Sequence, residues 1–153
     1  DVATGHGREY DESASFYHFY EMENTICFTS NSNCTMENVF KWLRYYPAPG
    51  WDSSQLVSSG SRTPISFMGV NGGEVLHSVS PGSFNVRNIT LPGHIFEEGY
   101  VDRTVVEKNN QIKIQSVGEG INKSAMSLML NLMLYRPGFN MLDNQIKAGM
   151  AGI

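Results

Sequence analysis

The stretch FNVRNITLPGHIFEEGYVDRTVVEKNNQIKIQSVGEG, residues 84–120, carries the strongest strand signals of the chain. Residues 100–108 and 111–117 are rich in β-branched side chains and flank Asn109 and Asn110, which tolerate the positive φ angles of a two-residue turn. The pattern predicts a β-hairpin in which Lys108 pairs with Gln111.

This register decides which side chains of the hairpin share a face. Three cross-strand pairs follow from it: Val105 with Ile114, Glu107 with Ile112 and Arg103 with Ser116. Arg103 is then the one cation in an otherwise apolar row with Val101, Val105, Ile112 and Ile114. Because a buried guanidinium needs a partner, two interpretations stay open. Arg103 forms a structural ion pair with Glu97, Glu107 or Glu119, or it is a site arginine that faces an anion or a polarised carbonyl.

Two further polar residues lie where the predicted strands of this stretch end. His94 follows the turn residues Pro92 and Gly93, and Glu119 stands between two glycines after the hairpin. A shift in the apolar pattern between Val86 and Ile89 also predicts a β-bulge near Arg87 or Asn88. If the strands pair as predicted, we expect His94, Arg103 and Glu119 to converge at one end of the sheet.

The remaining chain supplies helices and another candidate strand. Residues 35–46 show helical apolar spacing with Thr35 as N-cap, and the polar face with Trp42 is expected to meet solvent or a partner. Residues 49–71 are predicted to be irregular, and residues 74–80 form a strand that carries His77. Residues 122–134 and 139–150 are predicted as two helices separated by a break at residues 135–138, with Asp143 and Lys147 paired in the second.

These elements predict an α+β fold with an N-terminal helix, a roughly four-stranded antiparallel sheet and C-terminal helices. The length of 153 residues fits one domain. We expect residues 1–15, which are small and polar, to be a linker or a cleavage remnant, and residues 16–153 to form the single domain.

Charge and hydropathy exclude some classes of function. The net charge of −4 and the absence of a Lys or Arg cluster argue against a large surface for duplex nucleic acid. They leave room for a small cleft that holds one or two phosphates. No apolar run approaches the length of a stable membrane span.

Several short motifs together resemble a known group of proteins. They are residues 34–40 (CTMENVF), residues 47–50 (PAPG), Asn88-x-Thr90-x-Pro92-Gly93-His94, Gly99-x-Val101-x-Arg103 and Gly118-Glu119-Gly120. The pattern is similar to the C-terminal toxin domains of bacterial polymorphic toxins of the Rhs/YD-repeat and filamentous-haemagglutinin type. The resemblance implies a toxin-like effector domain for interbacterial competition. Such a domain is secreted on a larger carrier protein by secretion machinery, delivered into a target bacterial cell and neutralised by a cognate immunity protein.

The leading chemical hypothesis is a metal-independent, ribonuclease-like hydrolase without a cofactor, acting on RNA. In such enzymes one group deprotonates the 2′-hydroxyl, one protonates the leaving oxygen and a cation stabilises the phosphorane. His94, Arg103, Glu119, His77 and Thr90 are the candidates for these roles.

Two alternatives stay open. Cys34, at a helix N-terminus, is a candidate nucleophile of a periplasm-acting cysteine amidase with His77 or His94 as its base. A disulfide between Cys27 and Cys34 excludes this mechanism. The second alternative is a non-enzymatic, membrane-acting toxin that uses residues 126–133. No metal site is predicted, because the histidines and cysteines lack ligand spacing.

Overall fold

The computed structural model describes residues 8–92 and 98–153, apart from the side chains of Ala125, Met126 and Met129. Within these residues the chain forms six strands and two α-helices. Their bounds are β1 (Tyr17–Phe28), α1 (Met36–Tyr45), β2 (Arg62–Phe67), β3 (Val70–Ser80), β4 (Asn85–Thr90), β5 (Gly99–Lys108), β6 (Gln111–Ile121) and α2 (Ala125–Ala151).

The six strands form one antiparallel sheet in the order β1-β6-β5-β4-β3-β2. Both α1 and α2 pack on the same face of this sheet, which we call the inner face. The predicted fold class is therefore wrong in three respects. The sheet has six strands rather than four, a strand precedes the first helix, and one long helix replaces the C-terminal pair.

The hairpin at the centre of the sheet is confirmed. Asn109 and Asn110 both have positive φ, and Lys108 pairs with Gln111. Val105 lies opposite Ile114 and Arg103 opposite Ser116, as the alternation predicted. The row that contains Arg103 is the inner face, where Val105, Ile112 and Ile114 are almost completely buried in the main core.

Two strands were missed for identifiable reasons. β1 places His18 and Asn24 on the inner face, and these polar side chains hide its period of two. β2 contains Pro64, but it is the edge strand of the sheet, where a proline need not donate a ladder hydrogen bond. Because β2 lies at the sheet edge, a segment whose composition indicates a loop can form a strand.

The predicted bulge in β4 is also wrong. β4 pairs with β3 and β5 in unbroken register from Asn85 to Ile89. The apolar pattern shifts because Asn88 is a polar residue on the inner face and Ile89 an apolar residue on the outer face.

Helix α1 begins as predicted. The hydroxyl of Thr35 accepts a hydrogen bond from the amide of Asn38 at 3.1 Å. Trp42 is not a free surface residue, because it is partly buried and packs where Gly149 of α2 leaves space for its ring. A Cβ at Gly149 would lie 2.6 Å from that ring.

Helix α2 runs through the predicted break, so the expectation of two C-terminal helices is wrong. It contains Pro137, which cannot donate to the carbonyl of Met133. Both residues are exposed, and water can therefore satisfy that carbonyl. Asp143 points to Arg103 on β5 rather than to Lys147, and their side chains are 3.0 Å apart. No helix in the described ranges is long and apolar enough to cross a membrane.

Candidate functional site

A cavity of about 120 Å³ lies between the inner face of the sheet and the middle of α2. Strands β1 to β5, the segment after α1 and helix α2 all contribute to its wall. Its lining includes Tyr20, Asn88, Thr90, Asn131, Leu134, Tyr135 and Phe139. Half-exposed Ile65, Phe67 and Val70 line it on the side of the β2–β3 hairpin.

One wall of the cavity is aromatic. The rings of Tyr20 and Tyr135 are stacked with centroids 4.0 Å apart, and Phe139 lies 6.4 Å from Tyr20. Tyr20 lies flat on the sheet because its β6 neighbour is Gly118, where a Cβ would come 2.2 Å from the ring. Burial raises the pKa of Tyr20, so this hydroxyl remains neutral. The wall offers a flat apolar surface, to which Tyr20 adds one neutral hydroxyl group.

Among the described residues, the lining contains no charged side chain. Two buried charges of opposite sign form a pair beside the cavity: Arg103 and Asp143 are 0% and 1% exposed and 3.0 Å apart. Arg103 also donates to Ser116 Oγ at 3.2 Å. The sequence hypothesis of a structural ion pair is thus the one realised, although the partner is Asp143 rather than a glutamate.

His77 belongs to a chain of hydrogen bonds that ends at the cavity. Its Nδ1 lies 2.6 Å from Asn88 Oδ1, and its Nε2 lies 2.6 Å from Thr63 Oγ1. Because Oδ1 can only accept, Nδ1 carries the proton and Nε2 accepts from Thr63. Asn88 Nδ2 donates to the carbonyl of Pro47 at 3.0 Å. Burial lowers the pKa of His77, against the effect of Asn88.

A second buried histidine lies at another side of the same cavity. His18 Nε2 is 3.1 Å from Nδ2 of Asn131, a lining residue on α2. The ring of His18 also stacks on Tyr20 at 5.9 Å. Burial lowers the pKa of His18, which nearby Asn122 and Glu119 oppose. Both histidines are therefore neutral hydrogen-bonding groups near neutral pH.

Arg103 and Glu119 do not converge. Arg103 pairs with Ser116 and lies on the inner face, whereas Glu119 pairs with Tyr100 and lies on the outer face. The odd-numbered residues of β5 and β6 point to opposite faces because the two-residue turn pairs odd with even positions. No single substrate can contact both side chains through the sheet.

Glu119 is fully buried on the outer face beneath the N-terminal segment. Its carboxylate accepts hydrogen bonds from the amides of Glu9 and Tyr10 and from the hydroxyls of Tyr17 and Tyr100, at 2.7 to 3.3 Å. Burial opposes ionisation, but these hydrogen bonds outweigh it and hold the pKa of Glu119 below its ordinary value. These bonds attach residues 9 and 10 to the sheet.

The other predicted site residues are engaged in structural contacts or lie outside the described residues. Thr90 lines the cavity, but its hydroxyl donates to the carbonyl of Gly99 and accepts from the Gly99 amide. Cys34 forms a disulfide with Cys27, so it offers no thiol and the cysteine-amidase mechanism is wrong for this structure. His94 lies outside the described residues. Within the described part of the chain, no group of His, Cys, Asp and Glu side chains could hold a metal ion.

Sequence reasoning missed the residues that form the cavity, chiefly Tyr20, Asn88, Asn131 and Tyr135. Tyr20 and Tyr135 are more than a hundred positions apart and meet only because β1 and α2 pack together. A local signal did exist at Asn88, where a polar residue interrupts the inward row of a strand.

Comparisons with known proteins agree with this architecture. No family model and no curated protein matches the chain. Among solved structures, Ara h 8.0201 superposes with a TM-score of 0.55 at 12% identity, covering 90% of this chain and 99% of that one. The fold is Bet v 1-like.

Two plant proteins give further matches. The Panax ginseng major latex-like protein 151 has a TM-score of 0.51 at 13% identity, covering 89% of this chain and 99% of its own. Arabidopsis thaliana At1g70830, a member of the major latex protein family, has a TM-score of 0.51 at 11% identity, with 89% and 98% covered. At such identities the likeness shows the fold alone.

These matches correct the expected architecture. The neighbours are not toxins or ribonuclease-like hydrolases, so the architectural argument for ribonuclease-like chemistry is wrong. The resemblance to polymorphic-toxin domains, the effector role, the carrier, the immunity protein and delivery into a target cell stay predictions, because no match bears on them.

Proposed function

We propose that this protein binds a small, neutral and largely apolar molecule in the cavity between its sheet and helix α2. The observation that carries the proposal is the combination of internal volume, aromatic walls and a described lining without charge. Ligand sites of proteins are typically concave and mostly apolar, with few polar groups.

The dimensions limit the size of the ligand. An apolar cavity of about 150 Å³ is large enough to bind benzene in another protein. The cavity of about 120 Å³ is somewhat smaller, so a molecule built on one aromatic ring is the upper limit of what it can hold unless side chains move to enlarge it. The stacked rings of Tyr20 and Tyr135 offer a flat surface to such a ring.

Charge complementarity limits its chemistry. A carboxylate or an ammonium would lose its hydration without gaining an opposite charge, because Arg103 and Asp143 already neutralise each other. Catalysis by a nucleophile also lacks support here, since Cys34 is in a disulfide and Thr90 is held by Gly99.

Binding of toluene, followed by NMR titration, tests the proposal. We expect saturable shifts for methyl and amide groups around the cavity, whereas benzoate, a charged molecule of similar size, gives none. Leu134→Trp places an indole in the cavity wall and should weaken toluene binding at least about tenfold.

Leu132→Trp is the matched control. It introduces the same side chain on the same helix, but Leu132 is 47% exposed and does not line the cavity. Equal toluene affinity in both variants, or toluene shifts remote from the cavity, would contradict the proposal.

A further inference from the structure

A cleft of about 320 Å³ lies between the end of β1 and the last turns of α2. The end of β1 and the loop that follows it form one wall, and helix α2 forms the other. Its lining includes Ile26, Phe28, Ser30, Asn31, Lys147 and Met150. Among the described residues, none lines both this cleft and the cavity beside Tyr20. The cleft therefore offers space for a ligand at a second place on the molecule.

Part of the cleft lining is apolar. Ile26 and Met150 belong to the main core and are 8% and 5% exposed, whereas Phe28 is 57% exposed. The pairing of β1 with β6 shifts between Thr25 and Cys27, and such a bulge changes the direction of the side chains near it. An apolar group in the cleft would cover part of the exposed Phe28 ring, which is favourable.

The wall that carries Phe28 is held in place by bonds within the protein. The disulfide between Cys27 and Cys34 closes the loop between β1 and α1. Inside this loop, the amide of Asn31 donates to the carbonyl of Phe28 at 3.0 Å. Because the wall is already ordered, little conformational entropy has to be lost there when a ligand binds.

The polar groups of the cleft include two donors that are free to bind a ligand. Lys147 is exposed, and its ammonium group has no partner within the described part of the chain, because Asp143 pairs with Arg103 instead. Asn31 Oδ1 accepts from the amide of Asn33 at 2.9 Å, so the Nδ2 group is the donor that remains. No acidic residue of the described ranges lines the cleft. Its lining thus has one positive charge without a counter-charge.

We propose that this cleft binds a small carboxylate that has an aliphatic chain. The chain contacts Ile26, Phe28 and Met150, and the carboxylate accepts hydrogen bonds from Lys147 and Asn31 Nδ2. A cation is repelled by Lys147, and an inorganic anion has no apolar part that could cover Phe28. The site is independent of the proposed function, because that cavity takes a neutral molecule.

Hexanoate, hexanamide and acetate separate the contributions of charge and chain to binding. Hexanamide has the same chain without the charge, and acetate has the charge without the chain. We expect NMR titration of the unmodified protein to give an affinity for hexanoate at least about tenfold higher than for either of the others. The shifts should centre on the methyl groups of Ile26 and Met150 rather than on Val75 and Leu134, which line the cavity.

Three variants identify the groups that bind the two parts of the ligand. Lys147→Met removes the charge and should weaken hexanoate binding about tenfold while hexanamide binding stays the same. Lys41→Met is the control, since it makes the same change at an exposed lysine that does not line the cleft. Phe28→Ala should weaken the binding of both molecules by a similar factor, because it removes apolar surface that either chain covers.

The results decide this proposal separately from the proposed function. Equal affinities for hexanoate and hexanamide, an unchanged hexanoate affinity in Lys147→Met, shifts at the cavity in place of the cleft, or no binding of hexanoate would each overturn it. Toluene binding in the cavity is unaffected by any of these results. Conversely, failure of toluene to bind would refute the proposed function and leave the carboxylate site standing.

Discussion

The two buried histidines of this protein have similar surroundings but differ in the number of ring nitrogens that are hydrogen-bonded. Both lie on the inner face of the sheet beside the cavity, and burial lowers the pKa of each. The His77 ring has a partner at each nitrogen, whereas among the described residues His18 has one only at Nε2. The difference teaches that two histidines buried to a similar degree on one face of a sheet can differ in how completely their ring nitrogens are hydrogen-bonded.

The comparison also has a topological side. The His77 cluster is built from strands β2, β3 and β4 and the carbonyl of Pro47. The His18 cluster needs Asn131 from α2. Anything that moves α2 should therefore disturb His18 and spare His77.

The largest expected effect comes from Arg103→Ala. It leaves the Asp143 carboxylate buried without its cation and should lower the free energy of unfolding by about 3 to 5 kcal/mol. Urea denaturation measures the loss. In the folded fraction, NMR signals of the His18 ring should change more than those of His77.

The double variant Arg103→Met with Asp143→Leu is the control, because it removes both charges and should recover most of the lost stability. A double variant as unstable as Arg103→Ala would show that the ion pair does more than neutralise Asp143.

A smaller effect distinguishes the two asparagines. Asn88→Leu strips partners from His77 Nδ1–H and from the Pro47 carbonyl and should cost about 2 to 4 kcal/mol. Asn122→Leu removes an amide that makes no side-chain hydrogen bond of good geometry in the described part of the chain, and it should change stability by less than about 1 kcal/mol. Thermal unfolding of both variants provides the measurement. Equal losses would mean that the two clusters are alike after all.

Thr63→Val should cost about 1 to 2 kcal/mol, because it preserves the shape of the side chain and removes the donor to His77 Nε2. The expected change in the His77 ring is specific: Nε2 loses its hydrogen bond while Nδ1 keeps its proton. Nitrogen chemical shifts of the imidazole report both properties. An unchanged Nε2 shift would exclude Thr63 as the donor.

The smallest effect is on the pH dependence of stability. Both histidines have a folded pKa lowered from 6.5, so the unfolded chain binds more protons as the pH falls below about 6.5. Stability should therefore decrease from pH 6.5 downward until the folded pKa values are passed. His18→Phe should reduce the slope in urea titrations, whereas an unchanged slope would place the His18 pKa near its ordinary value.

Glu119 titrates in a different window. Its folded pKa is lowered from 4.5, so its stabilising contribution is present above that pH and is lost as the pH falls through the folded value. Measurements between about pH 5 and 7.5 thus isolate the histidines from this carboxylate.

Sequence patterns predicted the local features of this fold well. The register of β5 with β6 followed from two asparagines and a period of two, and the start of α1 followed from Thr35. Each of these features depends on neighbours within a few residues. The patterns also identified the inner face of the hairpin, because Val105, Ile112 and Ile114 alternate strictly.

Features that depend on distant partners were not predictable in this way. Pro64 indicates a loop unless its strand is known to be at the sheet edge, and Pro137 indicates a helix end unless the freed carbonyl is known to face water. The pairing of Arg103 with Asp143 needs the position of α2. The cavity site is mostly of this kind, since Tyr20, Asn88, Asn131 and Tyr135 come from three separate elements and only Asn88 gave a local signal.

The glycine at position 118 has a consequence for how such a site can change over time. Gly118 does not line the cavity, yet the missing side chain lets the Tyr20 ring rest on β6. Any larger residue there would clash with the Tyr20 ring, because a Cβ would lie 2.2 Å from it, and the ring would have to leave its present position in the cavity wall. The volume of the cavity thus depends on a residue that does not line it. A substitution at Gly118 alone can change which ligands fit, although every lining residue stays the same.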